Sequence, residues 1–230
     1  MTTWPIGPCP QPPPSADRLV REYAGIVANG DHWQNVYLTR QADEVGWYEP
    51  DPLVSRRLVA AAVRAGARSV IDVGGGASSL VDHLVDLDLE RVAVLDVSEA
   101  GLGVARRRLG DRAGRVEWVV GDVTSVDDVG RFDVWHDRAV FHFLVAQSDR
   151  AAYVRLAEKT LGPGGTLVIA TFGPDGPERC SGLPVCRYDD GRLAEALGPG
   201  FRLEASERHT HTTPGGTEQR FVYAKLTRVG

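Results

Sequence analysis

The chain is poor in cysteine, with only Cys9, Cys180 and Cys186 among 230 residues. So few thiols do not make a disulfide framework, and a reducing cytoplasm is the simplest setting to expect. Long hydrophobic runs are also missing. None approaches the ~20 residues of a membrane span, so no membrane partner is expected. The opening Met1-Thr2-Thr3-Trp4-Pro5 lacks the charged and apolar regions of a secretory signal. Positive charge is not in excess either. The net charge of −5 argues against a broad electrostatic grip on nucleic acid. No internal repeat is visible, and 230 residues suffice for one sizeable α/β domain with additions.

What is present is the balance of a globular protein, 43% hydrophobic and 25% charged. Six prolines lie between Pro5 and Pro14, so residues 1–14 are expected to be irregular or disordered. Ser15 or Asp17 can cap a helix reaching about Val27, and Asp31 a second from His32 to Arg40. The stretch 44–52 reads as a loop carrying Trp47 and Tyr48. A third helix follows Asp51 and ends before Gly66. Residues 15–52 therefore form a helical segment ahead of the main domain, 53–230.

From Arg68 onward, short β-rich runs alternate with helical ones. Strands are predicted near 69–73, 91–95, 115–120, 132–135, 165–171, 201–207 and 219–226. Helices are predicted near 78–86, 98–109, 148–161 and 189–197. This alternation implies a mostly parallel sheet covered on both faces. Only the turn-rich Thr212-Thr213-Pro214-Gly215-Gly216 separates the last two strands, so that pair should be antiparallel.

Four polar pieces fall at the carboxyl ends of successive predicted strands, the edge where open parallel sheets bind ligands. Gly74-Gly75-Gly76 follows Val70-Ile71-Asp72-Val73, and Asp96 ends Val92-Ala93-Val94-Leu95. Gly121-Asp122-Val123 ends the third strand, and Trp135-His136-Asp137-Arg138 the fourth. Glycines let the backbone approach a ligand, and an acid after the second strand can hold ribose hydroxyls. A dinucleotide-binding dehydrogenase is the competing reading. Its G-x-G-x-x-G fits only with Ser79 in the last position, and Asp72 beside the turn suits a cationic or zwitterionic ligand better than a pyrophosphate.

The run of Asp72-Val73-Gly74-Gly75-Gly76, Leu95-Asp96-Val97-Ser98, Gly121-Asp122-Val123 and Leu161-Gly162-Pro163-Gly164-Gly165 resembles the class I S-adenosylmethionine-dependent methyltransferases. The resemblance covers about residues 53–228. It implies a Rossmann-like seven-stranded sheet whose last strand is inserted antiparallel, and S-adenosyl-L-methionine as cofactor, with S-adenosyl-L-homocysteine as product. It also implies roles. Gly74, Gly75 and Gly76 admit the methionine part, Asp72 helps hold its amino-acid end, and Asp96 with Val97 meets the ribose. Asp122 accepts from the adenine amino group, with Val123 against the ring. Asp137 can also help hold the methionine amine.

The passage from Phe132 to Leu144 is dense in polar and aromatic groups. Asp137, His136 and His142 are the candidates for a base near the transferred methyl, while Trp135 reads as core. Asp133, Asp137-Arg138-Ala139, Asp149-Arg150-Ala151-Ala152-Tyr153 and Gly182-Leu183-Pro184-Val185 also resemble the thiopurine and thiol methyltransferase branch. Alanine stands where that branch has Asp-Arg-Gly. In turn, His32-Trp33-Gln34-Asn35-Val36-Tyr37 with Trp47-Tyr48 resembles the entry of some protein-lysine methyltransferases. Both resemblances imply a lid over the cofactor, with Tyr37, Trp47 and Tyr48 around an acceptor pocket. Arg138, Arg179 and Arg187 are candidate contacts to an anionic acceptor. Cys180 and Cys186 with His209 or His211 do not form a recognised zinc pattern, and no metal is expected. The expected activity is methyl transfer to a small acceptor such as a thiol or another soft nucleophile. The alternatives are a protein-lysine methyltransferase and a non-catalytic cofactor-binding interaction protein.

Overall fold

The computed structural model describes residues 30–230. The expectations for the proline-rich stretch and for a helix ending near Val27 lie outside the described residues. Five parallel strands form first: β1 (Ser69–Val73), β2 (Arg91–Asp96), β3 (Glu117–Val120), β4 (Phe132–Arg138) and β5 (Leu161–Phe172). Residues Arg179–Cys180 (β6) and Leu183–Pro184 (β7) make a separate small hairpin, and β8 (Phe201–Thr212) and β9 (Glu218–Arg228) finish the main sheet. That sheet has seven strands in the order β3-β2-β1-β4-β5-β9-β8. Strand β9 runs antiparallel to β8, as the turn-rich connection between them led us to expect, and antiparallel to β5, as the family resemblance implies.

The central strands show why the chain folds this way. Successive side chains of β1 and β4 point to opposite faces, and both faces are covered. Ile71 and Trp135 join a core with Tyr153, Leu156, Leu193 and Leu197. Val70 and Val134 join a second core with Val59, Leu80, Leu84 and Leu102. The first face is covered by α5 (Gln147–Thr160) and α6 (Asp190–Leu197), and the second by α2 (Leu53–Arg64), α3 (Leu80–Leu84) and α4 (Glu99–Leu109). Each fully buried large apolar side chain contributes about 1.5–3 kcal/mol.

A third apolar cluster sits at the carboxyl end of the sheet. Phe143, Phe172, Phe221, Tyr223 and Cys180 form it, and Trp33 and Trp47 pack against them. Trp33 comes from α1 (Gly30–Thr39), which crosses the beginning of α4. Here Gln34 Oε1 accepts from the Ser98 hydroxyl and the Ala100 amide, both at 3.0 Å.

Several boundaries differ from the sequence expectation. The helix expected over 78–86 is only Leu80–Leu84, and residues Gly110–Arg115 form a 3-10 turn ahead of a shortened β3. Between the strand predicted near 165–171 and the helix predicted near 189–197, where no strand was expected, lies the β6–β7 hairpin. Its two central residues, Ser181 and Gly182, have φ of 49° and 79°, which is the conformation a two-residue hairpin turn requires. Among the described residues, no helix is long and apolar enough to cross a membrane.

Candidate active site

The turn after β1 is built around positive φ values, 69° at Gly74 and 40° at Gly76. The Gly74 amide donates to the Leu95 carbonyl at 2.7 Å, tying the turn to β2. A Cβ on Gly74 would lie 2.0 Å from Val140 Cγ2, and one on Gly76 would lie 2.9 Å from Asp96 Oδ2. Both places therefore demand glycine by conformation and by space.

Asp96 ends β2, and its Oδ1 accepts the Ser98 amide at 2.7 Å. Burial pushes its carboxyl up to about 7; the Ser98 and Gly76 amides oppose the shift, and the nearby Asp72 charge adds to it. Asp122, beyond β3, accepts from the amide and the hydroxyl of Thr124, both at 2.7 Å, which closes a tight turn. Asp72 keeps one oxygen on His136, while its buried Oδ2 has no hydrogen-bond partner among the described residues.

Between these acids and the third apolar cluster lies a cavity of about 790 Å³, its open mouth included. Its wall along the sheet edge holds Val73, Gly74, Leu95, Asp96, Val97, Gly121, Asp122 and Val123. Its other wall holds Trp33, Tyr37, Trp47, Arg138, Ala139, Val140, Phe143, Leu144 and Cys180. The aromatic rings meet edge to face: Trp33 lies 5.5 Å from Trp47 and 5.0 Å from Phe143 between centroids. A second cavity, of about 540 Å³, contains Tyr48, Ser55, Asp72, Gly75 and His136. It shares Tyr37, Trp47, Gly74 and Arg138 with the first.

Most residues expected at the site are thus brought together, but the three candidate bases do not line the larger cavity. His136 is buried, with Nδ1 2.7 Å from Asp72 Oδ1 and Nε2 2.9 Å from the Ser55 hydroxyl. Asp137 is fully buried and accepts the Val140 amide at 2.8 Å, the Phe141 amide at 3.0 Å and the Tyr153 hydroxyl at 2.7 Å. Burial still pushes its carboxyl up to about 6, against those bonds and the nearby His136. His142 Nδ1 accepts the Phe172 amide at 3.2 Å, and burial, with Arg138 adding, pushes the ring down to about 3. His136 and Asp137 are buried because β4 is a central strand with both faces covered, and His142 because its 3-10 turn, Phe141–Phe143, packs against Phe172.

The arginines are corrected too. Arg138 lines both cavities, yet its guanidinium is engaged by Glu49 at 2.8 Å, the Trp47 carbonyl at 2.9 Å and the Tyr223 hydroxyl at 3.1 Å. Arg179 donates to the Gly182 carbonyl of its own turn, and Arg187 to Gly176 and Glu178. Neither Arg179 nor Arg187 lines either of these two cavities. Cys180 lies in the cavity wall, where burial pushes its thiol up to about 12 against the pull of Arg138. Cys186 is buried in the main core instead.

Trp33, Phe143, Leu144 and Cys180 are wall residues that the sequence reading did not select. Trp33 stands beside the chosen Tyr37 in one amphipathic helix, and Phe143 beside the chosen His142. Only spatial convergence distinguishes them from core aromatics. Ala139 explains an oddity noted above. Its φ is 72°, a region that favours glycine, so the Asp-Arg-Gly of the resembled branch matches a geometric demand at this position.

Residues 70–165 match the family described as a methyltransferase domain. No curated protein sequence matches the chain. Among solved structures, the chain is similar to 1,6-didemethyltoxoflavin-N1-methyltransferase from Burkholderia thailandensis, bound to 1,6-didemethyltoxoflavin and S-adenosylhomocysteine. The TM-score is 0.64 at 20% identity, over 96% of this chain and 92% of that one. The CcbJ methyltransferase from Streptomyces caelestis gives 0.64 at 19% identity, over 87% and 98%. A protein described for conversion of a disulfide bond into a thioacetal group during echinomycin biosynthesis gives 0.67 at 19%, over 87% and 91%. At these identities the likeness establishes a shared fold.

Proposed function

We propose, for a chain that is a class I S-adenosylmethionine-dependent methyltransferase, that the methyl group goes to a small-molecule acceptor held against Trp33, Tyr37, Trp47 and Phe143. One observation carries this reading: a single cavity joins the acids after β2 and β3 to that aromatic wall.

The residues present fit the cofactor. The glycine turn leaves a backbone cradle that a Cβ would fill. Asp96 is the acceptor for the ribose hydroxyls, Val97 lies beside it, and Asp122 with Val123 frames the adenine. The unpartnered Oδ2 of Asp72, next to Gly75, suits an ammonium group. The bound sulfonium supplies an electrophilic methyl carbon. The chain itself aligns the acceptor, shields it from water and holds the lid, which we assign among the described residues to 30–52.

The titratable groups on the larger cavity's wall argue against base catalysis. Tyr37 is held protonated by burial and by Asp96, Cys180 by burial, and Arg138 is permanently charged. Asp96 and Asp122 serve the cofactor end. The acceptor must therefore bring its own lone pair, which favours a thiolate, another soft nucleophile or a neutral amine. In this reading Asp137, His136 and His142 position the β4 turn and take no proton from the acceptor. The toxoflavin and echinomycin relatives, both described with small-molecule chemistry, support a small acceptor.

The test is transfer from labelled S-adenosylmethionine to thiols, selenide, small carboxylates, amines and a protein fraction. Label on a small thiol or amine product is expected. Label retained on protein would replace this reading with lysine methylation. Tight S-adenosylhomocysteine binding with no transfer to any acceptor would favour a non-catalytic role.

A further inference from the structure

Trp47 belongs to a strap, residues 45–52, that links the 3-10 turn Ala42–Glu44 to α2 and has no helix or strand of its own. Side chains from other elements set its place. Arg138 at the end of β4 donates to the Trp47 carbonyl at 2.9 Å and to Glu49 Oε1 at 2.8 Å. The Ser79 hydroxyl, just ahead of α3, donates to the Glu49 carbonyl at 2.6 Å. His211 on β8 meets the strap twice. Its Nε2 is 2.9 Å from the Gly46 carbonyl oxygen, and its Nδ1 is 3.2 Å from Glu49 Oε1.

Both ring nitrogens of His211 therefore face oxygens that only accept. A carbonyl has no hydrogen to offer. Burial alone would raise the Glu49 carboxyl, but the His211 contact and the charge of Arg138 outweigh it and hold Glu49 below its ordinary range. A neutral imidazole has one N–H and would turn a lone pair toward one of these oxygens. Only the doubly protonated ring satisfies both. His211 is 5% exposed, so water does not readily replace either contact.

We propose that His211 is a positioning residue for the transfer: as an imidazolium bridging the Gly46 carbonyl and the Glu49 carboxylate, it fastens the strap that sets Trp47 in the cavity wall. Its link to turnover rests on the function proposed above; its hold on the strap does not. The groups facing His211 are Glu49 from the strap, His209 on its own strand with Nε2 3.9 Å from the same Glu49 oxygen, and Phe221 from β9. Arg138 from β4, itself bonded to the Tyr223 hydroxyl, lies across Glu49.

Hydrogen exchange of the unliganded protein tests this without cofactor or acceptor. Amides of 45–52 are expected to exchange about tenfold faster in His211→Phe than in the wild type at pH 6, the effect of losing a charge-assisted bond. Amides of β2 should be unchanged. His211→Gln, which restores one donor, should fall between. Equal strap protection in wild type and His211→Phe overturns the proposal. If His211→Phe does not fold, Glu49→Gln is read in the same way. In the transfer assay, His211→Phe should raise the acceptor KM more than it lowers kcat. A loosened strap with an unchanged acceptor KM would overturn the positioning role, while labelled product would still uphold the transfer itself.

Discussion

Asp96 is expected to link cofactor binding to a proton. Its carboxyl sits at about 7 in the unliganded protein because it is buried, with two backbone amides compensating only in part. Ribose hydroxyls donating to it favour the ionised form, so binding should expel the proton wherever Asp96 is still protonated. At pH 6 most molecules carry that proton, and at pH 8 few do. S-adenosylhomocysteine should therefore bind about tenfold more weakly at pH 6 than at pH 8. Calorimetry in buffers of different ionisation enthalpy should register release of about one proton at pH 6 and almost none at pH 8. The same shift acts on the fold with the opposite preference. A carboxyl raised from 3.8 to about 7 destabilises the folded state progressively as pH climbs between those values, and the cost is constant above them. Its ceiling is about 4 kcal/mol. Asp96→Asn should thus be more stable than wild type at pH 8 in a denaturant melt, yet bind the ligand tenfold or more weakly, with its pH dependence gone. Equal affinity at pH 6 and pH 8 with no buffer-dependent heat would refute the reasoning, as would an Asn variant that keeps the wild-type pH profile.

Gly76→Ala, by forcing a methyl against Asp96 and Tyr37 at a φ of 40°, should weaken S-adenosylhomocysteine binding at least tenfold; calorimetry at pH 8 checks it, and unchanged affinity would place the ligand elsewhere. Asp137→Ala removes the acceptor of two amides and the Tyr153 hydroxyl and should cost about 3 kcal/mol or more in urea unfolding. Wild-type stability with lost turnover would return Asp137 to a catalytic role. Ala139→Gly relieves a φ of 72° and should stabilise the protein by about 1 kcal/mol, read as a rise in denaturation midpoint. Trp33→Ala opens the acceptor wall and should raise the acceptor KM with little effect on S-adenosylhomocysteine affinity; the reverse pattern would move Trp33 to the cofactor side.

The parallel core of the fold was legible because its signals are local. Each central strand is a short apolar run covered on both faces, and each is followed by the glycines or acids that end it. The positions of Gly74, Gly76 and Asp96 were legible for the same reason: a sharp turn and a strand-terminal acid lie within a few residues of the strand that fixes them. The antiparallel pairing of β8 with β9 was legible from the turn-rich Thr212–Gly216 alone, whereas the place of β9 beside β5 came only from the family resemblance. The β6–β7 hairpin was not, because two-residue strands carry too little pattern to rise above a loop.

The sequence by itself thus determined the sheet, its active edge and the glycine–acid cradle, since periodicity and turn chemistry act over neighbouring residues. Tertiary structure alone decided which polar groups face the cavity. His136, Asp137 and His142 lie next to the right strand end, but a central strand buries what it carries, and their hydrogen-bond partners at Ser55, Tyr153 and Phe172 are remote in sequence. It also decided the acceptor wall. Trp33, Trp47, Phe143 and Cys180 come from separate elements and meet only because α1, the strap and the small hairpin converge on one end of the sheet. Such convergence depends on three-dimensional closure, for which no spacing along the chain is a signal.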